Sequence, residues 1–292
     1  MSCYLSTSCF GRIPVGEAVE ICREISPNYI ELSAPHDYQP TKELEILLYN
    51  LKNEGLNLSL HNYFPPPQKS FVLNMAAEED EAQQASKDLV LKALNLAQIA
   101  GSPVYGIHAG YLRNAKAGED GMFIFDERGV SYENALNKAT NFVCSVAELF
   151  ERNGVTLLIE NLFPSPKKQH SLFCTFNEIK EFMAKVPKSV GLLLDFGHLN
   201  IASNLLKFDR RAFLDDYIDE FGDRVHEIHI SENRGIKDEH LAVKKNSWQL
   251  GLVKEFAGVP LRNGLDRIYC LEARNSEVNE LHESLNLINE NL

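Results

Sequence analysis

The chain has 292 residues, of which 44% are hydrophobic and 24% are charged, a composition typical of globular proteins. Its formal net charge of −12 argues against a surface built to neutralise nucleic-acid phosphates. The six cysteines are scattered and form no CxxC pair, so they indicate reduced thiols rather than a disulfide framework. The sequence has no signal-peptide pattern and no apolar run long enough to span a membrane. We therefore expect a cytoplasmic protein that does not enter the membrane.

Eight short apolar runs have the length and composition of buried strands. Segments with helical periodicity separate them, and this alternation predicts a parallel sheet with crossover helices. Eight parallel strands close a barrel, so we predict an α/β protein with a single (β/α)8 TIM-barrel domain over residues 1–292. An open, doubly wound sheet is the alternative. The predicted strands are Cys3–Cys9, Tyr29–Ser33, Leu56–His61, Val104–His108, Thr156–Glu160, Gly191–Asp195, Val225–Ile230 and Arg267–Glu272.

Start and stop signals mark the predicted helices. Pro14 fits a first helical turn, where its missing N–H costs nothing. Thr41 is a candidate N-cap for a helix that ends before Gly55, and Thr175 forms a capping-box pattern with Glu178. The other helices are predicted over Ala76–Ile99, Ser131–Asn153, Asp209–Phe221, Trp248–Phe256 and Ser276–Glu290.

Two predicted connections are unusually long. They are Asn62–Met75, which contains three consecutive prolines, and Ala109–Val130. Long loops inside compact domains commonly bind ligands or cover a site. Because both follow a predicted strand, we expect both at the end of the barrel where this fold places its chemistry.

Potential metal ligands terminate six of the eight predicted strands. A single histidine or carboxylate at a strand end usually forms a hydrogen bond or a helix cap, and we expect such structural roles for His36, His170, His226 and His282. Recurrence in strand after strand is different, because several carboxylates at one barrel mouth are costly unless a cation offsets their charge. We therefore predict a divalent-metal site that draws on His61, His108, Glu160, Asp195, His198, His229, Asp238, His240 and Glu272.

The motifs HNYF, GIHAG, IEN, LDFGH and HISEN..IKDEH occur in this order at the spacing of barrel repeats. Together they resemble the xylose-isomerase-like TIM-barrel superfamily, which includes sugar and sugar phosphate isomerases and epimerases and also endonuclease IV. The resemblance covers nearly the whole chain. It implies a core metal site from Glu160, Asp195, His229 and Glu272. In endonuclease IV relatives, such a site extends to three zinc ions through His61, His108, His198, Asp238 and His240.

Several segments depart from the nuclease pattern. The residues after His61 are NYFPPP, the fourth strand ends in HAGY, and Asp195 is followed by Phe-Gly rather than by a Cys-containing turn. The glycine-rich segment expected after the Asp238–His240 pair is replaced by LAVKKNSW. The DFGH and HISEN–DEH forms look closer to the isomerase and epimerase branch.

The resemblance therefore implies a divalent-metal-dependent isomerase or epimerase that acts on a small sugar or sugar derivative. Such an enzyme moves a proton by way of an enediolate that the metal stabilises. We expect Glu160 and Glu272 to be the acid/base pair while they also bind metal, and His198 to orient a substrate hydroxyl. The expected cofactor is Mn, Zn, Co or Mg, with one to three ions per chain.

The alternative is an endonuclease IV-like, zinc-dependent phosphodiesterase that acts at abasic sites in DNA. Five histidines favour zinc, because imidazole nitrogen suits zinc whereas magnesium prefers oxygen ligands. The acidic balance and the lack of a basic stripe interleaved with aromatic residues weigh against this alternative. Nucleic acid is an expected partner only here, and a homo-oligomer is compatible with both functions.

Basic and aromatic side chains in the predicted loops are candidates for substrate contacts. Arg274 is the strongest, because it lies two residues after Glu272, and Arg234 and Tyr63 are further candidates. An arginine can hold a phosphate or carboxylate, and a tyrosine ring can stack on a sugar. Most basic loop residues are ordinary solvated surface. The other basic loop residues are Arg113, Lys116, Lys167, Lys168 and Lys237.

Overall fold

The structure is a computed structural model that describes residues 2–118, 123–164, 170–274 and 276–292. Its strands are β1 (Tyr4–Ser6), β2 (Tyr29–Leu32), β3 (Asn57–His61), β4 (Val104–His108), β5 (Arg113–Ala117), β6 (Phe123–Gly129), β7 (Thr156–Glu160), β8 (Gly191–Asp195), β9 (Val225–Ile230) and β10 (Ile268–Leu271). All but β5 and β6 run parallel and close into a barrel, in which β10 pairs back onto β1. The predicted (β/α)8 TIM-barrel fold is confirmed, and the open sheet is excluded.

Helices connect the barrel strands and cover the outside of the barrel. They are α1 (Val15–Ile25), α2 (Thr41–Asn53), α3 (Asp80–Ala100), α4 (Tyr132–Arg152), α5 (Phe176–Met183), α6 (Phe196–Leu206), α7 (Arg210–Phe221), α8 (Trp248–Ala257) and α9 (Val278–Asn289). Each buries an apolar stripe, as α4 does with Leu136, Ala139, Val143 and Val146. Within the described ranges, no helix has the length and apolar character needed to cross a membrane.

Two of the helix signals in the sequence are confirmed, whereas Pro14 precedes the first turn of α1 as its N-cap. The Thr175 hydroxyl accepts the Glu178 N–H, and the Glu178 carboxylate accepts the Thr175 N–H at 3.0 Å, so the capping box forms. Gly55 follows the last turn of α2 at φ 86°, a left-handed conformation that glycine adopts without steric cost. The prediction of Thr41 as N-cap is wrong, because Thr41 is the first helical residue and Pro40 occupies the cap position.

Two boundaries differ from the predictions by more than two residues, and helix α6 and a hairpin were not predicted. The first strand ends at Ser6, because the Ser6 hydroxyl accepts the Ser8 N–H and starts a short 3-10 turn. Helix α3 begins four residues later than predicted, because the Asn74 side chain holds the Ala76 N–H in a turn. Helix α6 is an additional element. It begins directly after β8, where the Asp195 carboxylate accepts the His198 N–H at 2.6 Å.

The predicted loop Ala109–Val130 contains an antiparallel hairpin of β5 and β6. Its aromatic side chains pack onto Tyr111 at the edge of the barrel mouth, with ring centroids 5.6 Å away for Phe123 and 5.3 Å away for Phe125. Phe125 also stacks on His170. Aromatic packing therefore holds this long connection against the end of the barrel where the predicted ligands lie.

Towards the amino ends of its strands, the barrel interior is apolar apart from buried polar side chains such as Glu227. The side chains that fill it form one buried cluster of Tyr4, Val104, Leu158, Leu193, Ile268 and Cys270. Gly106 faces this interior, and a Cβ at this position would lie 2.8 Å from Leu193 and 2.9 Å from the His61 ring. Glycine is thus required on β4 for the close approach of these side chains.

Candidate metal centre

The nine predicted ligands form one network of contacts at the carboxyl end of the barrel. The strands position most of them. The last residues of β3, β4, β7 and β8 are His61, His108, Glu160 and Asp195. His229 is the last but one residue of β9, and Glu272 directly follows β10. Residues from six strands therefore converge on the barrel axis.

His61, His108 and Glu160 form the first group. The Nε2 atoms of His61 and His108 lie 2.9 and 3.3 Å from Oε2 of Glu160. Their Nδ1 atoms point away and contact the hydroxyls of Ser33 and Tyr111, each at 3.1 Å. Because the hydroxyls hold the Nδ1 atoms, both rings present Nε2 to the same carboxylate oxygen.

Asp195, His229 and Glu272 form the second group, whose donor atoms all lie within 4.8 Å of one another. Nδ1 of His229 is 3.3 Å from Oε2 of Glu272 and 3.9 Å from Oδ2 of Asp195. Asp195 also belongs to a group with Glu160 and His198, so it links the two carboxylate sides of the centre. These side chains are at most 2% exposed, apart from His198 at 6%.

His198, Asp238 and His240 form the third group, nearer the surface. Oδ2 of Asp238 lies 3.4 Å from Nε2 of His198 and 2.7 Å from Nε2 of His240. The two Nδ1 atoms instead contact backbone carbonyls, of Asn161 at 2.9 Å and of Glu272 at 3.0 Å. His240 has φ 47°, a conformation that is unfavourable for a non-glycine residue and typical of functional sites.

The donor set fits a divalent cation. Oδ2 of Asp195 and Oδ1 of Asp238 are buried and make no hydrogen bond within the described part of the chain. An unpaired carboxylate oxygen in a protein interior is costly, and a bound cation would satisfy it. Imidazole nitrogens with carboxylate oxygens suit zinc, manganese or cobalt.

Neighbouring side chains hold the two central glutamates ionised, whereas burial raises the pKa of Asp195. Burial alone would raise the pKa of Glu160, but His108, His198 and His61 outweigh it and hold that pKa well below its usual range. Burial acts in the same way on Glu272, whose pKa is instead lowered by Arg274 and His240. Negative charge at the two glutamates is what a divalent ion or a transferred proton requires.

The histidines divide by their surroundings. Burial lowers the pKa of His108 to about 4, so its ring is neutral at physiological pH. Burial opposes protonation of His229 as well, but Glu31 and Glu272 raise its pKa well above the usual value. Nδ1 of His229 faces Glu272 and Asp195, the direction in which a metal would bind, so a proton at this atom would compete with the metal.

The sequence model of the family described as xylose isomerase-like TIM barrel matches residues 17–290. The chain belongs to this family. An uncharacterised protein of Methanocaldococcus jannaschii is 25% identical over 209 residues, which are 72% of this chain and 69% of that protein.

Solved structures share the fold of this family member over its whole length. A D-tagatose 3-epimerase-like protein superposes with a TM-score of 0.73 and 18% identity, covering 100% of this chain and 97% of that one. A protein from Thermus thermophilus, studied after soaking with ZnCl2, superposes with a TM-score of 0.64 and 17% identity over 99% of both chains. At these identities the likeness shows the fold alone.

Two buried glutamates of this xylose isomerase-like barrel escaped the sequence reasoning. Glu31 on β2 contacts His229, and Glu227 lies on β9 two residues before His229; both are fully buried. Burial and the nearby Glu31 raise the pKa of Glu227 well above its usual range. A charged residue at an inward position of an apolar strand, as in YIEL and VHEIHI, was the available signal.

The three residues predicted to contact the substrate lie in different surroundings. The Arg274 guanidinium pairs with Oε1 of Glu272 inside the centre. Arg234 is 80% exposed and pairs with Glu239. The Tyr63 hydroxyl accepts the Leu73 N–H at 2.9 Å, and its ring packs on Phe71 and Phe123. Arg113 donates to a carbonyl within the hairpin, and Lys167 and Lys168 lie outside the described residues.

Proposed function

We propose that this protein is a divalent-metal-dependent isomerase or epimerase of a small sugar or sugar derivative. The observation that carries the proposal is the arrangement of its two central glutamates. Asp195 shares one group of donor atoms with Glu160 and another with Glu272. The two glutamates therefore flank Asp195, as a carboxylate pair must to act on opposite sides of one bound substrate.

Glu160, Asp195, His229 and Glu272 would hold the catalytic ion. When bound, a divalent cation polarises the substrate carbonyl and its neighbouring hydroxyl and stabilises the enediolate as negative charge develops. The fold that this chain shares with the D-tagatose 3-epimerase-like protein supports a substrate of the size of a ketose.

The chain's own residues would carry the proton. Glu160 and Glu272 have lowered pKa values, so each is ionised and able to take a proton from the carbon beside the carbonyl. The Asn161 carbonyl holds Nδ1 of His198, and Nε2, which lies 3.4 Å from Oδ2 of Asp238, would orient a substrate hydroxyl. Arg274, partly exposed beside Glu272, would bind an anionic group on the substrate.

Solvent-deuterium exchange tests the proposal. We expect the Mn²⁺- or Co²⁺-loaded protein to incorporate deuterium into the carbon beside the carbonyl of at least one compound in a panel of ketoses, sugar acids and sugar phosphates. Glu160→Gln and Glu272→Gln should abolish exchange, because each removes a base. Glu227→Gln is the matched control and should retain it, because glutamine keeps the size of the side chain and Glu227 lies level with Leu193, one layer below the proposed ligands. No exchange with any panel member, or exchange that survives both substitutions, would refute the proposal.

A zinc-dependent phosphodiesterase acting at abasic DNA sites is the second candidate. The observation that favours it is the presence of two histidine pairs, His61 with His108 and His198 with His240, each facing one carboxylate. Three groups of ligands would suit three zinc ions, and adjacent ions are effective in displacement at phosphorus.

Metal content and a cleavage assay separate the two candidates. If the protein is an isomerase, we expect one tightly bound ion per chain that can be exchanged for another divalent metal. We also expect no cleavage of a duplex with a single abasic site. Three zinc ions per chain together with metal-dependent strand cleavage would replace the isomerase with the nuclease. His61→Ala is informative here, because it should remove nuclease activity while leaving the second ligand group complete.

A further inference from the structure

We infer that Glu31 is a positioning residue that holds His229 with its Nδ1 towards Asp195 and Glu272. Oε2 of Glu31 on β2 lies 2.7 Å from Nε2 of His229 on β9, across the barrel interior. Both side chains are fully shielded from solvent. The inference rests on the metal site of the proposed function, to which Glu31 adds a residue outside the predicted ligand set.

The other histidines of the centre show why this contact is distinctive. Each of them has one ring nitrogen within hydrogen-bond distance of a neutral group. His61 and His108 meet hydroxyls, whereas His198 and His240 meet backbone carbonyls, and Nδ1 of His198 also lies 3.1 Å from Oε1 of Glu160. Within the described residues, His229 contacts no such neutral group, and its Nε2 meets the Glu31 carboxylate, the strongest of these acceptors. A carboxylate on the outer nitrogen fixes the ring orientation and increases the basicity of the nitrogen that faces the metal.

Burying the Glu31 carboxylate without a partner would be costly. Its second oxygen, Oε1, makes no hydrogen bond within the described part of the chain. The nearby carboxyl of Glu227 offers no positive charge. An ionised carboxylate in this position needs a cationic or strongly donating partner, and His229 supplies one. The contact thus explains why an acidic side chain lies at the base of the centre.

Glu31 also lies in a group with His61 and His229 whose donor atoms are within 4.8 Å of one another. An ion bound there would have to replace the hydrogen bond between Glu31 and His229. Direct ligation by Glu31 would change the number of bound ions, whereas positioning of His229 changes only affinity. Stoichiometry therefore distinguishes these two roles.

Cobalt binding to the full-length protein tests the inference through chelator competition and the visible spectrum of bound Co²⁺. Glu31→Leu should weaken binding by about 10–100-fold at unchanged stoichiometry and alter the spectrum, because His229 loses its orientation. Glu31→Gln keeps an acceptor and should fall between this variant and the wild type. Glu227→Gln, a buried glutamate on the same strand as His229, should bind like the wild type.

The zinc-loaded protein gives a second readout that does not depend on turnover. Its proton NMR spectrum should contain a slowly exchanging His229 ring N–H, and this resonance should disappear in Glu31→Leu. Unchanged cobalt affinity in both Glu31 variants, retention of the N–H resonance, or loss of one bound ion would overturn the positioning role. If the Glu31 variants show these changes in metal binding but the wild-type protein exchanges no substrate proton, the proposed function is refuted and this inference stands.

Discussion

The two ends of the barrel interior differ in chemistry although the same strands form both. Every second residue of a strand points into the barrel. The change from apolar side chains to metal ligands falls between two successive inward residues. Leu158 precedes Glu160 by two residues on β7, and Leu193 precedes Asp195 by two residues on β8. The lower layer is apolar apart from buried polar side chains such as Glu227, which pairs in register with Leu193, and the upper layer is a cluster of ligands. Most of the stability and most of the chemistry therefore belong to adjacent layers of one scaffold.

The largest expected effect comes from the upper layer. Asp195→Asn should keep the helix cap at the start of α6 through its remaining oxygen but remove the negative charge that faces His229. We expect metal affinity to fall by about 100-fold or more, and deuterium exchange to be lost. Calorimetric titration with zinc measures the first effect. Thermal unfolding of the metal-free variant should be close to that of the wild type, and a large drop would show that Asp195 is chiefly structural.

The lower layer should respond in the opposite way. Leu193 is fully buried, and Leu193→Ala should lower the free energy of unfolding by about 2–5 kcal/mol through lost burial and a residual cavity. Metal stoichiometry should not change. Urea unfolding measures the effect, and Leu206→Ala on the surface of α6 is the control, with an expected cost within about 0.5 kcal/mol. Loss of metal from the Leu193 variant would contradict the separation of layers.

A smaller effect is expected from His226, a buried histidine of β9. Burial lowers the pKa of His226 from 6.5 to about 4, so the unfolded chain binds this proton more readily than the folded protein between these pH values. The associated stability is fully present above pH 6.5 and is lost as the pH falls towards about 4. We expect about 2 kcal/mol of destabilisation between pH 7 and pH 5 from this residue.

Urea unfolding of the metal-free protein at the two pH values measures this effect. His226→Gln should reduce the acid destabilisation, whereas His282→Gln, a substitution on the exposed side of α9, should not. Equal pH dependence in the wild type and the His226 variant would show that burial does not keep this ring neutral.

The smallest expected effect contrasts two arginines at the upper end. Arg274 contacts Glu272 inside the centre, whereas Arg234 is 80% exposed and pairs with Glu239. Once a substrate is found, Arg274→Ala should raise KM by about tenfold, equivalent to about 1.4 kcal/mol. Arg234→Ala should leave KM unchanged. Steady-state kinetics measure both, and a larger effect at Arg234 would assign it to the substrate.

Much of this arrangement was predictable because it is local. Strand length, apolar composition and the residue at each strand end are properties of short segments, so the barrel and the positions of its strand-end residues could be inferred from the sequence. The hairpin of β5 and β6 could not, because its packing on Tyr111 depends on distant aromatic contacts. Helix α6 escaped because the Asp195 that caps it was interpreted as a metal ligand.

The contact between Glu31 and His229 shows the other limit. These residues are 198 positions apart, on strands that are not neighbours in the barrel. Alternation along β2 identifies Glu31 as an inward residue, but it does not say which side chain it meets. Only closure of the barrel brings the two together.

Anomalous diffraction from crystals grown with Co²⁺ tests the central claim most directly. We expect an anomalous peak at bonding distance, about 2.0–2.2 Å, from carboxylate oxygens of Asp195 and Glu272 and from Nδ1 of His229. Absence of a peak among these atoms, with cobalt bound only elsewhere on the molecule, would contradict it.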